Sequence, residues 1–168
     1  MTDQELKDLV ASLAIESKKT DEKLARMGIH LAGISNNQGD VAEEYFINSL
    51  KNKSLKIADM NFDMLVSNME VSRGGKHDEY DIILVNGESL AIIEVKYKVH
   101  PSDIDKLDKK VISIKELSPV YKDFKVYAGV AGFKVPHDAK TKALDKGYFV
   151  LERKGNIVET YANELKVA

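Results

Sequence analysis

The amino-acid sequence predicts an α/β protein with a central mixed β-sheet flanked by helices on both faces, and an N-terminal helical arm. Two neighbouring strand-like segments, residues 81–85 and 88–96, are apolar on both faces, so each face of their sheet requires a covering layer. Segments with the apolar spacing of helices lie before and after these strands, which is typical of α/β architectures. The first third of the chain shows helical spacing alone.

Length and composition exclude several classes of protein. The 168 residues suffice for one domain with an appendage, and the formal net charge is −2. The absence of cysteine excludes a disulfide scaffold, a thiolate zinc site and thiol catalysis, and it fits a reducing compartment. No apolar run approaches the ~18–20 residues of a membrane span, and the N-terminus lacks the apolar core of a signal peptide. We therefore expect a soluble cytoplasmic protein that does not enter a membrane.

Residues 1–34 are predicted to form the helical arm. Thr2 and Glu5 have the spacing of a capping box, in which each side chain binds a backbone N–H at the start of a helix. Apolar residues then recur at helical spacing in two groups: Leu6, Leu9 and Leu13, and later Leu24, Met27, Leu31 and Ile34. The charged run at residues 16–23 puts the groups out of phase. The pattern fits a short coiled-coil arm that joins copies into a homo-oligomer, or helices packed on the body of the same chain.

A second domain, residues 35–168, is predicted to begin with a helix after a break at Gly33. Ser35 and Gln38 form a second capping-box pattern. The helix, about residues 37–51, carries an apolar stripe that is wide enough to cover a sheet. The stripe consists of Val41, Ala42, Tyr45, Phe46, Ile47 and Leu50.

A β-hairpin at residues 80–97 is the strongest structural signal. It follows β-type alternation at residues 55–71 and a glycine turn at residues 73–76. Its two strands flank Asn86-Gly87, which predicts a two-residue type I′ turn because both turn positions require positive φ.

Helices and strands alternate after the hairpin. Pro101 ends the second strand, and Ser102 with Asp105 predicts the start of a helix that ends near Leu117. The next elements are a buried strand at residues 124–133, a helix bracketed by Pro136 and Gly147, and a strand at residues 148–151. The last twelve residues are ambiguous between strand and helix.

Three charged residues lie at the open end of the hairpin. The two-residue turn places Asp81, Glu94 and Lys96 on one face of the sheet. Asp81 and Glu94 are then diagonal neighbours, with Cα atoms about 7–8 Å apart, and one divalent cation can bridge their carboxylates. The alternative is a rim ion pair between Lys96 and either acid. Carboxylates are the ligands that Mg²⁺ or Mn²⁺ prefers, and a lysine beside such a cation suits phosphodiester hydrolysis.

The same residues resemble a known family. Residues 79–81 (Glu-Tyr-Asp), followed by residues 92–96 (Ile-Ile-Glu-Val-Lys), resemble the D…ExK signature of the PD-(D/E)XK nuclease superfamily. Residues 39–44 (Gly-Asp-Val-Ala-Glu-Glu) resemble the G-x-x-A-E helix of its Holliday-junction-resolvase-like and restriction-endonuclease-like members. The likeness covers residues 35–151 and excludes the arm, and Tyr80 stands where the name-giving proline would be. It implies a restriction-endonuclease-like αβα core.

The resemblance also implies roles for the hairpin residues. Asp81 and Glu94 would bind Mg²⁺ or Mn²⁺ as the cofactor, with the backbone carbonyl of Val95 as a further ligand. Lys96 would position the attacking water and stabilise the transition state. All three charged residues would therefore be catalytic.

The acid that the helix contributes is assigned to Glu43, as a catalytic residue and a metal ligand. Glu43 lies four residues after Gly39, as the resemblance requires, and shares its helix face with the apolar stripe. Glu44 lies on the polar face with Asn48 and Lys51, which faces solvent.

A surplus of positive charge follows the hairpin. Residues 96–146 hold twelve lysines against seven acidic residues, whereas the rest of the chain is acidic. Such lysines either contact DNA phosphates through a salt-sensitive attraction or form solvated helix faces. The residues assigned to nucleic-acid binding are Lys98, Lys106, Lys109 and Lys110.

Two functional hypotheses follow. The first is a Mg²⁺- or Mn²⁺-dependent endonuclease that hydrolyses DNA phosphodiester bonds at the D…ExK site. The second is a catalytically silent nuclease-like fold that serves as a nucleic-acid-binding or assembly module through its N-terminal helix.

Deletion of residues 1–34 distinguishes the two interpretations of the arm. If the arm oligomerises the chain, its apolar positions are buried between copies, so we expect a multimeric full-length protein and a monomeric truncated one. Size-exclusion chromatography with light scattering measures both masses. Monomeric masses for both proteins would rule out oligomerisation through the arm.

Overall fold

The computed structural model confirms the predicted α/β class. It describes residues 1–26 and 37–168, and the chain divides into two compact units, Met1–Gln38 and Gly39–Ala168. Several predicted features lie outside the described residues: the apolar positions Met27, Leu31 and Ile34, the break at Gly33 and the helix start at Ser35. The separate roles assigned to the arm and to the second domain stay predictions.

Unit 1 is helical. Helix α1, Asp3–Asn52, contributes residues to both units. The predicted capping box is confirmed, because the Thr2 N–H donates to Glu5 Oε2 at 2.7 Å and the Glu5 N–H donates to Thr2 Oγ1 at 3.2 Å. Large apolar side chains of this unit are exposed, among them Leu6, Leu9, Leu13 and Leu24. Within the described residues, no helix is both long enough and apolar enough to cross a lipid bilayer.

Unit 2 contains a six-stranded mixed sheet in the order β3-β4-β5-β6-β7-β8. After α1, its elements are β1 (Lys56–Ile57), β2 (Met60–Asn61), β3 (Met64–Arg73), β4 (Lys76–Val85), β5 (Ser89–Lys98), α2 (Pro101–Leu117), a 3-10 turn (Pro119–Tyr121), β6 (Lys125–Lys134), α3 (His137–Asp145), β7 (Phe149–Lys154) and β8 (Ile157–Tyr161). Strands β5, β6 and β7 run parallel, and the other neighbours in this sheet are antiparallel. Strands β1 and β2 form a separate small sheet.

Helices cover both faces of the sheet, as its two-sided apolar pattern requires. One core packs beneath α2 and α3 and includes Leu90, Ile92, Leu107 and Ala139. The other packs beneath the last turns of α1 and includes Ala42, Phe46, Ile82 and Ile93. The alternation of side chains along β4 and β5 sends successive residues into these two cores. The structure is therefore an αβα sandwich.

The connection between β4 and β5 differs from the prediction. Val85 pairs with Leu90, so four residues, 86–89, lie between the last paired positions of β4 and β5, where a two-residue turn is predicted. The side-chain oxygen of Asn86 accepts the backbone N–H groups of Glu88 at 3.0 Å and Ser89 at 2.7 Å. This Asx turn stabilises the longer loop. The register shifts by two residues, so the paired residues 82–85 and 90–93 keep their predicted faces.

The two-residue turn with positive φ lies in the preceding hairpin. Arg73 pairs with Lys76, and the φ angles of Gly74 and Gly75 are 58° and 78°. Both central positions therefore adopt the conformation that a type I′ turn requires, which glycine reaches without strain. The turn predicted at residues 73–76 is confirmed.

The capping residue of α2 lies two residues earlier than predicted. The backbone N–H of His100 donates to Asp103 Oδ2 at 2.8 Å, and Pro101 occupies the first helical position. Proline is favoured there because its missing N–H would have no helical partner. The predicted capping pair, Ser102 with Asp105, is therefore wrong, whereas the predicted end at Leu117 is confirmed. Of the last twelve residues, which the sequence left ambiguous, the first five form strand β8 and the other seven form neither a strand nor a helix.

Truncation of Phe46 is expected to destabilise the fold strongly, because its ring is 0% exposed beneath α1. Phe46→Ala should lower the free energy of unfolding by about 3–5 kcal/mol through lost burial and a residual cavity. Val41→Ala, on the same helix but 55% exposed, serves as the control and should change it by less than about 0.5 kcal/mol. Urea unfolding followed by circular dichroism measures both values, and equal effects would contradict the packing described here.

Candidate functional site

The candidate site lies where β4 and β5 separate at the end of the sheet. Their last pair is Ile82 with Ile93, and Asp81 and Glu94 are the next residue on each strand. The observed register therefore brings these two acids to adjacent positions. The predicted register makes them diagonal neighbours instead.

Asp81 also has no ladder partner on β3, the strand on its other side. Strand β3 pairs with Tyr80 and Ile82 but not with Asp81. Tyr80 packs beneath α2 whereas Ile82 packs beneath α1, so the regular alternation of β4 is interrupted at Asp81. Its Oδ2 accepts the backbone N–H of Val95 at 2.8 Å. The carboxylate thus supplies an acceptor to a half-buried N–H that the separating strand no longer satisfies.

Glu94 is buried, with 5% of its surface exposed. It alternates with Leu90 and Ile92 and therefore projects toward α2. Its Oε1 lies 3.2 Å from Lys96 Nζ, and its Oε2 lies 2.7 Å from Lys110 Nζ. An unpaired carboxylate at this depth would cost several kcal/mol. The two lysines neutralise it from two different elements.

Lys96 stays protonated in this environment. Its burial favours the neutral amine and would lower the pKa, but the charge and hydrogen bond of Glu94, together with the charge of Asp81, outweigh burial and raise the pKa of Lys96 above its ordinary value. Lys96 is therefore a fixed positive charge and not a proton acceptor.

The pKa of Asp81 responds to its surroundings. Burial raises the pKa of Asp81, and the neighbouring charge of Glu94 raises it further. The Val95 N–H and the charge of Lys110 act in the opposite direction without cancelling the shift. The ionised carboxylate of Asp81 is therefore disfavoured, mainly by burial, although Lys96 and Lys110 lie nearby.

Glu43 faces this cluster from α1. Its side chain is half-buried, whereas that of Glu44 is exposed. Burial raises the pKa of Glu43, and the charges of Asp81 and Asp40 add to the effect, whereas Lys96 opposes it. These interactions place Glu43 within electrostatic reach of the hairpin acids.

The lysines assigned to nucleic-acid binding occupy different environments. Lys98 and Lys109 are exposed, and Lys106 Nζ lies 3.5 Å from Asp103 Oδ1. Lys110 pairs with Glu94 and is one of the charged groups nearest the predicted catalytic acids.

The role of Lys110 as a partner of Glu94 was missed by reasoning from the sequence alone. The available signal was its position, because Lys110 lies three residues after Leu107 and four before Ile114, both of which are buried. A lysine within the apolar stripe of an amphipathic helix indicates a buried partner of opposite charge.

The donor chemistry fits a hard divalent cation. Among residues 1–26 and 37–168, no group of three or more His, Cys, Asp or Glu side chains is arranged to hold a metal ion. Mg²⁺, however, is usually bound by one or two carboxylates and keeps several waters. Asp81 and Glu94 supply two carboxylates from neighbouring strands. Burial raises the pKa of Asp81 and of Glu43, the charges of neighbouring acids raise both further, and a bound cation would oppose that repulsion.

Comparisons with known proteins bear on the fold. No protein-family model matches the chain, and no curated protein matches its sequence. The solved structure of Can2 from Sulfobacillus thermosulfidooxidans, in complex with cyclic tetra-adenylate (cA4), is similar to this chain, with a TM-score of 0.50 and 21% sequence identity. The similarity covers 67% of this chain and 31% of Can2, so the chain spans about a third of the length of Can2. At this identity the likeness shows the fold alone.

Neutralisation of Asp81 is expected to stabilise the metal-free protein. A raised pKa in the folded state means that stability falls as the pH rises from the ordinary value of 3.8 through the shifted one. Asp81→Asn removes the charge and keeps an oxygen for the Val95 N–H, so its free energy of unfolding at pH 7 should exceed that of the wild type. The gain should shrink as the pH falls toward 3.8.

Urea unfolding in buffer with a chelator, at several pH values, measures this effect. Asp105→Asn is the control, because hydrogen bonds from Lys142 and Lys146 lower the pKa of Asp105 and neutralisation there should bring no gain. A loss of stability in Asp81→Asn at pH 7 would contradict the account of this carboxyl.

Proposed function

We propose that unit 2 is a Mg²⁺- or Mn²⁺-dependent endodeoxyribonuclease whose active residues are Glu43, Asp81, Glu94 and Lys96. One observation carries the proposal: two adjacent acids and a protonated lysine gather where β4 and β5 separate, with Lys96 Nζ 3.2 Å from Glu94 Oε1. A soluble core does not gain stability by concentrating buried charge in this way, so the cluster is better explained by function.

Asp81 and Glu94 would hold the cation, with Glu43 and the Val95 carbonyl as further oxygen donors. A bound divalent cation supplies an activated water and offsets charge on the phosphate. The Val95 N–H fixes Asp81 Oδ2 at 2.8 Å and leaves the second oxygen of this carboxylate for the cation. Strand β5 therefore orients Asp81 through its backbone and carries Glu94 as a side chain.

Lys96 supplies a fixed positive charge beside Glu94. Hydrolysis of a phosphodiester adds negative charge to the phosphoryl oxygens as the attacking water adds to phosphorus. A protonated lysine at this position stabilises that charge more than the charge of the ground state, which lowers the barrier. The raised pKa of Lys96 keeps it protonated throughout.

Glu43 would add an oxygen donor to the site from α1. Its side chain is half-buried, and the charges of Asp81 and Glu94 both act on it. Its position on α1 places this group outside the hairpin, so that it reaches the site from a second element.

DNA is the proposed substrate. Lys98 is exposed two residues after Lys96 on β5, and Lys106 and Lys109 lie on the exposed side of α2. Exposed lysines beside a phosphodiesterase site provide a sequence-independent attraction for the backbone of DNA. The likeness to Can2 supports the proposal through the shared fold only, and the cyclic tetra-adenylate belongs to that protein.

A specific observation favours a second candidate, a catalytically silent nuclease-like fold that binds nucleic acid or serves in assembly. Both oxygens of Glu94 are already occupied by lysines, at 3.2 Å and 2.7 Å. In a silent fold these ion pairs would be permanent. Uptake of Mn²⁺ that depends on Asp81 and Glu94 would argue against it.

Cleavage assays on plasmid, single-stranded and branched DNA test the proposed activity. With Mg²⁺ or Mn²⁺ the wild type should cleave, and Lys96→Met should be slower by about 10²–10³-fold because the charge on the phosphate is no longer offset. Glu94→Gln should lose metal-dependent cleavage. Glu152→Gln is the matched control, since Glu152 is also buried and also lies between two lysines, Lys140 at 2.6 Å and Lys154 at 3.3 Å.

The control should cleave at a rate close to that of the wild type. Equal rates in all four proteins would show that any cleavage comes from a contaminant, and the proposed active residues would then be wrong. Binding of DNA without cleavage by the wild type would favour the silent fold.

A further inference from the structure

Glu94 is held by two lysines that differ in origin. Lys96 follows it on β5 and belongs to the proposed active residues, whereas Lys110 approaches from α2. We propose that Lys110 is an internal counter-ion that occupies Glu94 Oε2 and must release it before a divalent cation can bind. This inference rests on the proposed function and adds a regulatory element to the same site.

The ion pair of Lys110 is built into the fold. Its Nζ lies 2.7 Å from Glu94 Oε2, and 16% of the Lys110 side chain is exposed. The ammonium also lies 5.9 Å from the centre of the Tyr80 ring, a cation–π distance. Tyr80 is itself held, because its hydroxyl lies 2.7 Å from Ser113 Oγ on α2. Lys110 is therefore held in a mostly buried position by Glu94 and Tyr80.

The balance of charge explains why a cation and Lys110 exclude each other. Without metal, Lys110 offsets the negative charge that Glu94 and Asp81 concentrate at the site, and it opposes the increase in the pKa of Asp81. A divalent cation held by these two carboxylates would bring two positive charges where Lys110 brings one. It would also repel an ammonium held on the same carboxylate. The lysine's flexible stem allows the ammonium to withdraw.

The affinity for Mn²⁺ is the quantity that this competition changes. Lys110→Met keeps an unbranched apolar stem and removes the charge, so it should bind Mn²⁺ roughly tenfold more tightly than the wild type or better. Lys110→Arg keeps the charge and should bind close to the wild-type value. Isothermal titration calorimetry with MnCl₂ at pH 7 measures each dissociation constant without reference to activity.

Lys140→Met is the matched control. Lys140 Nζ lies 2.6 Å from the buried Glu152 Oε2, and 20% of its side chain is exposed, so the pair closely resembles that of Lys110 and Glu94. Loss of Lys140 disturbs a buried ion pair of the same kind between a helix and a strand. Its affinity for Mn²⁺ should equal that of the wild type.

Thermal unfolding followed by circular dichroism adds a second readout. Lys110→Met should unfold at a lower temperature than the wild type without metal, because Glu94 loses a partner, and Mn²⁺ should raise its midpoint by more than it raises that of the wild type. If Lys110→Met does not fold, Lys110→Gln, which keeps a polar end group, takes its place in both measurements.

Each outcome decides a different point. Equal affinities in wild type and a folded Lys110→Met, or weaker binding in Lys110→Met, overturn the role of Lys110 and leave the proposed nuclease intact. The same holds if Lys140→Met tightens binding as much as Lys110→Met. If neither the wild type nor Lys110→Met takes up Mn²⁺, both the counter-ion role and the metal-dependent activity are wrong.

Discussion

The burial of one carboxylate, that of Glu94, organises the end of the sheet. It projects into the layer beneath α2, where an isolated charge would be strongly destabilising. Lys96 and Lys110 neutralise it at 3.2 Å and 2.7 Å. One of these partners comes from the next position on the same face of β5 and the other from a helix that packs over it. The position of α2 on the sheet and the charge state of the site are therefore linked through a single side chain.

The site depends on the separation of β4 from β5 as well as on the burial of Glu94. Where the strands part, a backbone N–H at Val95 loses its partner, and the Asp81 carboxylate accepts it at 2.8 Å. This arrangement brings a second acid beside Glu94 and raises the pKa of Asp81 by burial and like charge. A local break in a β-ladder thus concentrates negative charge at one edge of an otherwise apolar layer, and Glu43 adds to it from α1.

Most elements of the fold were predictable because their signals are local. The apolar spacing of the helices, the alternation of the strands and the positions of Pro101, Pro136 and Gly147 each act over a few residues. The errors arose where two local signals compete. Asn86 satisfies a four-residue loop with its side chain instead of a tight turn, and Asp103 caps α2 in place of Asp105. Residues 82–85 and 90–93 kept their predicted faces despite the register error, because the register shifted by two residues and strand side chains repeat every second residue.

The sequence by itself determined the layered α/β class and the identity of the charged hairpin residues, since periodicity and residue type are properties of short segments. It also placed Glu43 on the inward side of its helix. Only the tertiary structure decided that Asp81 is unpaired on both sides, that Glu94 is buried and that Lys110 is its partner. Those facts depend on where β4 leaves β5 and on how α2 packs across the sheet. Contacts between residues distant along the chain follow from packing as a whole and have no local signature.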